Sequence, residues 1–247
     1  MPGIEALTLQ LQTGDHHQRS EAALALGRSG DPAAIPPLIA ALCSDDDLNV
    51  IEDVTWALTR FGTTPIPGLF SAHASADSHG RHNIVHVLGK IGDASAAPIL
   101  IDSLCESDRR VRVKAVYVLG QIGILDATPA LIERLADTDE DMRWTAFETI
   151  TLPAMRAGPA LIDALRSADE VIRENAARAL GALGYEAAVT ALIAALDDDS
   201  FDVRCAILEA LAQMSQSSAA RAALGGASAH PDAPTRAYAS ALVKRLG

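Results

Sequence analysis

Aromatic side chains are scarce in this chain: phenylalanine, tryptophan and tyrosine make up 4% of its 247 residues. A core built on aromatic stacking is therefore excluded. The apolar mass comes from alanine and leucine, which suits closely packed helices. Cysteine is nearly missing as well. Cys43, Cys105 and Cys205 are far apart and odd in number, which excludes a disulfide framework, fits a reducing cytoplasm and reads as small buried residues. Basic charge is in deficit. A net charge of -12 without a local basic stripe argues against a nucleic-acid partner, whose phosphates would be repelled. No apolar run is long enough to span a bilayer, so no membrane partner is expected. The opening "MPGIEALTLQLQTGDHH" has no basic start followed by an apolar run, so no signal peptide is expected and the cytoplasm is the expected location. There is no Gly-rich phosphate loop, no Gly-x-Ser-x-Gly, no Cys-x-x-Cys and no His-Glu zinc motif, so no cofactor is expected.

What is present is a period. "ALGRSG" ends at Gly30, "ALTRFG" at Gly62, "VLGKIG" at Gly92 and "VLGQIG" at Gly123. "TITLPA" follows at Ala154, "ALGALG" at Gly184, "ALAQMS" at Ser215 and "LVKRLG" at Gly247. Successive endings are 30 to 32 residues apart, too regular for chance alanine richness. The expected units are 1–30, 31–62, 63–92, 93–123, 124–154, 155–184, 185–215 and 216–247, within a single domain 1–247.

Each unit reads as two helices. The first is short and starts near a proline, as in "PPLIAAL" and "TPALIERL", where a missing N–H costs nothing. An acidic turn follows ("SDDD", "DTDED"), whose aspartates cap the second helix. The second helix carries apolar residues at helical spacing and closes on glycine, which permits a left-handed residue. Pro153 is expected to end the second helix of 124–154 early. An arginine opens the second helix at Arg19, Arg81, Arg112, Arg143, Arg173, Arg204 and Arg236. Its recurrence marks it as structural, a partner for turn aspartates. A hairpin of this size buries little alone, and stacking makes the core continuous. The expected fold is all-α: a right-handed α-solenoid of about eight hairpins, second helices lining a concave face.

"VRVKAVYVLGQIG" and "VIRENAARALGALG" resemble HEAT repeats of the phycobilisome-lyase type over nearly the whole chain. The resemblance implies the fold and leaves function open, because such repeats serve bilin lyases, phycobilisome-degradation factors, a metal hydroxylase family and plain binding proteins.

Function is sought where units differ. Carrying one helical face across the second helices gives Glu21, Leu24 and Arg28; then Glu52, Asp53, Trp56 and Arg60; then His82, Asn83, His86 and Lys90; then Val113, Lys114, Tyr117 and Gln121. Further on it gives Trp144 and Glu148; Glu174, Asn175 and Arg178; and Cys205, Glu209 and Gln213. Trp56, His86 and Tyr117 share one column in consecutive units and are expected to stack about one repeat apart. The expected ligand- or partner-binding set is Glu52, Asp53, Trp56, His82, His86, Tyr117, Trp144, Glu148 and Arg178.

"RHNIVHVLGKIG" carries two histidines that its twin "RVKAVYVLGQIG" lacks, and His79 precedes them, either on the same helical face or exposed in the turn. No metal site is expected outright. The candidates for one are His82, His86 and Glu52. The HEAT-repeat deoxyhypusine hydroxylases carry Arg-His-Glu at the matching point, repeated to give a four-His di-iron site. Here one histidine survives and no His-Glu pair does, which sets this chain apart from them.

The leading expectation is a non-catalytic interaction module whose concave face takes a protein partner, a helix or a basic segment. The alternative is a small-molecule-handling protein resembling the bilin lyases, with His86 and Glu148 as catalytic candidates and Trp56, Tyr117 and Trp144 as walls. A metal-dependent enzyme is a lesser one.

Overall fold

The computed structural model describes residues 2–246. Among the described residues it has sixteen α-helices and no strand. Contacts gather into two compact units, one ending at Gly123 and the other beginning at Ile124, so the division falls on a repeat boundary.

In the first unit the short helices are α1 (Ile4–Thr13), α3 (Ile35–Ser44), α5 (Ile66–Ser75) and α7 (Ala97–Asp102). They alternate with α2 (His16–Ser29), α4 (Leu48–Thr59), α6 (Ser78–Ile91) and α8 (Arg109–Ile122). Successive second helices pack side by side, α2 on α4, α4 on α6 and α6 on α8. Their buried faces meet the first-helix layer around Leu26, Leu38, Leu42, Leu58, Leu69, Ile84, Leu88 and Leu104. Each such leucine contributes about 2 kcal/mol of burial. Close spacing needs small residues: a Cβ on Gly27 would stand 2.7 Å from Ala57 Cα.

The second unit repeats the plan. Its short helices are α9 (Thr128–Glu133), α11 (Gly158–Ala164), α13 (Val189–Ala194) and α15 (Ser218–Gly226). Its second helices are α10 (Glu140–Ile150), α12 (Glu170–Leu183), α14 (Phe201–Gln213) and α16 (Ala233–Leu246). Here α12 packs on α14 and α14 on α16, with Leu208, Leu224, Ala227, Ala239 and Leu242 in one buried cluster.

The turn acids cap as expected. Asp15, Asp47, Asp77, Asp108, Asp139 and Asp169 each accept a backbone N–H in the first turn of a second helix. Ser200 stands at the start of α14 and makes no such bond. Gly92 closes α6 at φ 71°, a conformation that a Cβ would strain. Helix α10 has 11 residues against 14 in α12, because Pro153 follows it. Arg156 then turns the chain at φ 44°.

The arginine row is structural, with a refinement. Arg19 meets Asp45 at 2.7 and 3.0 Å, and Arg173 meets Asp198 at the same distances, each bidentate to an acid one unit on. Arg81 takes Glu106, a glutamate, at 2.7 and 2.8 Å. A second role was not foreseen: the guanidinium also donates to carbonyls of the turn before its own helix. Arg112 bonds Glu106 O and Ser107 O, Arg143 bonds Asp137 O and Thr138 O, and Arg236 bonds His230 O and Pro231 O.

The cysteine expectation needs correction. Cys105 is exposed, and Cys43 and Cys205 are half-buried. Burial pushes the thiols of Cys43 and Cys205 above their ordinary pKa and holds them protonated.

Candidate functional site

In the first unit the candidates lie on α4, α6 and α8, three helices packed in order. Trp56 is 41% exposed on α4 and Tyr117 60% exposed on α8. His86 is half-buried on α6 between them. Trp56 is braced from below: its ring packs near Gly27, and the Arg60 guanidinium lies 5.7 Å from its centroid.

Helix α6 carries His82, His86 and Lys90 at four-residue spacing, one above the other. His86 Nε2 lies 3.3 Å from Glu52 Oε1 but makes no hydrogen bond. Burial lowers the His86 pKa first, then the nearby Lys114 charge, and Glu52 opposes them. His82 is lowered for the same two leading reasons, and its Nδ1 is buried without a partner. Both rings are therefore neutral at pH 7, and the His86–Glu52 contact is a dipole beside an ion rather than an ion pair. Lys114 is lowered too, by burial and then by Lys90. Lys114 and Lys90 are near enough to repel each other, and the Glu52 carboxylate lies beside His86. Glu52 and His86 meet, but among the described residues no three His, Cys, Asp or Glu side chains form a metal-binding group.

Some members of the projected face point elsewhere. Asn83 is 6% exposed; its amide donates to Leu42 O at 3.0 Å and ties α6 to the end of α3. Asn175 does the same to Leu135 O. Both close carbonyls at the end of the previous unit's first helix. Asp53 accepts a hydrogen bond from Ser20 of α2 and so links two helices. His79 lies in the first turn of α6, half-buried rather than exposed, with Nε2 3.0 Å from Asp45 O. It serves the neighbouring turn and does not join His82 and His86.

In the second unit Trp144 is 62% exposed on α10 and stacks on Phe147, with ring centroids 6.4 Å apart and planes 19° apart. Trp144, Phe147, Arg143, Asn175 and Arg178 border an open depression of about 380 Å³. Arg178 is held there by Glu174 at 2.7 Å. Glu148 is exposed on α10, one turn past Trp144. Phe147 was missed by the sequence reading, although its spacing from Trp144 places it on the same side of α10.

Stacked antiparallel hairpins with capped turns and a buried alanine–leucine seam define an α-solenoid protein. A HEAT-repeat family profile matches residues 4–65, 66–151 and 158–243. The chain belongs to the HEAT-repeat family. No curated protein sequence matches it. Importin beta is similar in fold, at a TM-score of 0.58 and 14% identity over 98% of this chain and 40% of that one. The CpcE–CpcF complex of phycocyanin lyase from Nostoc sp. aligns at 22% identity over 100% and 96% of the two chains, with a TM-score of 0.43. Human deoxyhypusine hydroxylase in complex with glycerol aligns at 22% identity over 98% and 95%, with a TM-score of 0.42. Among the described residues no helix is long and apolar enough to cross a membrane.

Proposed function

We propose that this protein is an interaction module that takes a partner protein on the exposed face of its second helices. In the first unit the partner lies across Glu52, Trp56, His82, His86 and Tyr117, with Asp53 holding α4 to α2 beneath. The second unit, taken by itself, presents a face of the same kind at Trp144, Glu148 and Arg178. One observation carries the reading: Trp56, Tyr117 and Trp144, among the few aromatics of the chain, are each left more than 40% exposed on second helices. Aromatic anchors ringed by polar groups are how interfaces concentrate binding energy.

The small-molecule alternative draws on the depression beside Trp144 and Phe147, which has the volume of a ligand site. The first reading needs no enclosure and accounts for both units, so we favour it.

A photo-crosslinking amino acid at position 56 or 117 tests it, with position 70 as control. Phe70 is also exposed but belongs to α5, in the first-helix layer. Adducts at 56 and 117 and none at 70 are expected in cells. Equal yields at all three positions, or adducts at 70 alone, overturn it.

A further inference from the structure

The first unit carries a row of cations that no carboxylate among the described residues engages. Arg28, Arg60 and Lys90 occupy equivalent places near the ends of α2, α4 and α6, one repeat apart, and all three are exposed. The chain has 32 acidic against 20 basic residues, so carboxylates are plentiful. Yet among the described residues none of these three cations forms an ion pair, while most arginines near the turns do. Arg60 instead lies over the ring of Trp56. Completing the helix dipole explains a cation in a last turn in general. It does not explain three in succession, because the equivalent places at the ends of α8, α12 and α14 hold Gln121, Ala182 and Gln213, and a cation returns only at Arg245 of α16. The acids of this face, Glu21 and Glu52, lie towards the opposite ends of their helices. The face is thus graded: acidic at one side, aromatic and imidazole in the middle, basic at the other.

Neighbouring packed helices are about 9 Å apart. A polyproline II segment repeats its side-chain direction every three residues at about 3.1 Å each, which is nearly the same distance. Such a segment crossing the helices sets every third side chain over successive cations and its apolar side chains over Trp56. The sequence alone suggested a helix or a basic segment as the partner, in a chain of net charge -12. In this unit most turn carboxylates that set that charge are engaged in caps or arginine pairs.

We infer that the row Arg28, Arg60 and Lys90, with Trp56 beside it, docks an extended acidic segment of a partner protein bearing a carboxylate at about every third residue. This rests on the interaction-module reading and names its partner's chemistry.

The test uses the full chain and a fluorescein-labelled peptide of about four Glu-Leu-Pro repeats, followed by anisotropy. Matched peptides carry Gln or Lys in place of Glu. The Glu peptide is expected to bind about tenfold more tightly than the Gln peptide at low salt, and less so as salt rises. The double variant Arg60→Glu with Lys90→Glu, folded by circular dichroism, is expected to lose about tenfold for the Glu peptide and to prefer the Lys peptide. Trp56→Ala is expected to weaken the Glu and Gln peptides alike. Glu and Gln peptides binding equally, or the reversed variant keeping its preference for Glu, overturns the inference. A wild-type preference for the Lys peptide that depends on Trp56 also overturns it, while leaving the module reading in place.

Discussion

His73→Leu returns one position to the pattern of its neighbours. His73 stands on α5 where α3 has Leu42, and it is 9% exposed. Its Nε2 bonds Ser103 Oγ at 3.1 Å, and that hydroxyl donates to Ile99 O at 2.7 Å. Replacing the ring leaves the Ser103 donor satisfied. At pH 7 the variant loses a hydrogen bond of about 1 kcal/mol and gains about 2 kcal/mol of apolar burial. A net gain of up to about 1 kcal/mol follows, less any misfit of leucine in a space shaped for imidazole. Acid widens the gap. Burial lowers the His73 pKa from 6.5, with Arg81 acting the same way and Glu106 and Asp102 opposing. The unfolded ring therefore takes a proton at a higher pH than the folded one. The wild type is at full stability above that ordinary value and loses stability as pH falls below it. At about pH 5.5 the extra loss reaches at most about 1.4 kcal/mol, the limit for a folded ring that stays neutral. Urea unfolding in a Trp144→Phe background leaves Trp56 as the sole tryptophan, reporting the first unit. Midpoints with and without the His73→Leu change, at pH 7.5 and about 5.5, give the comparison. His82 and His86 titrate in both chains and cancel. Parallel pH dependence in the two chains would refute the reasoning, since the buried ring would then accept a proton at no cost.

Other perturbations follow from the packing. Gly27→Ala forces a methyl against the Ala57 backbone and is expected to cost about 1–3 kcal/mol in thermal or urea unfolding. Arg19→Ala strands the Asp45 carboxylate, 7% exposed, and is expected to cost about 2–3 kcal/mol, with loss of hydrogen-exchange protection at the start of α4. Asp77→Ala removes the α6 cap and is expected to cost about 1 kcal/mol in the same melts. Arg156→Gly relieves the single described non-glycine residue at positive φ and is expected to raise stability by about 1 kcal/mol, read as a later second-unit midpoint.

The repeat was legible because folding requirements recur every unit. The aspartate caps, the arginine row and the early stop at Pro153 could all be read by aligning "SDDD" with "DTDED", or "VLGQIG" with "TITLPA". The glycine before the last turn carried a second meaning that the alignment did not display. Gly27 is small because another helix touches it, and a close neighbour in space leaves no mark in its own segment. The same limit governed the candidate site. Alignment located the column of Trp56, His86 and Tyr117 but could not separate side chains that face solvent from polar ones that reach back to an earlier unit. Asn83 and His82 are adjacent and both polar, yet Asn83 closes the Leu42 carbonyl while a ring nitrogen of His82 is left without a partner. Such carbonyls occur at every first-helix end, so the second helix has to supply a donor wherever that end lacks another. A polar residue in this column is therefore evidence of recognition only once its hydrogen bonds to the neighbouring unit's backbone have been traced. Trp56 and Tyr117 pass that filter most plainly: an exposed aromatic ring satisfies no carbonyl, and its contribution awaits a second surface.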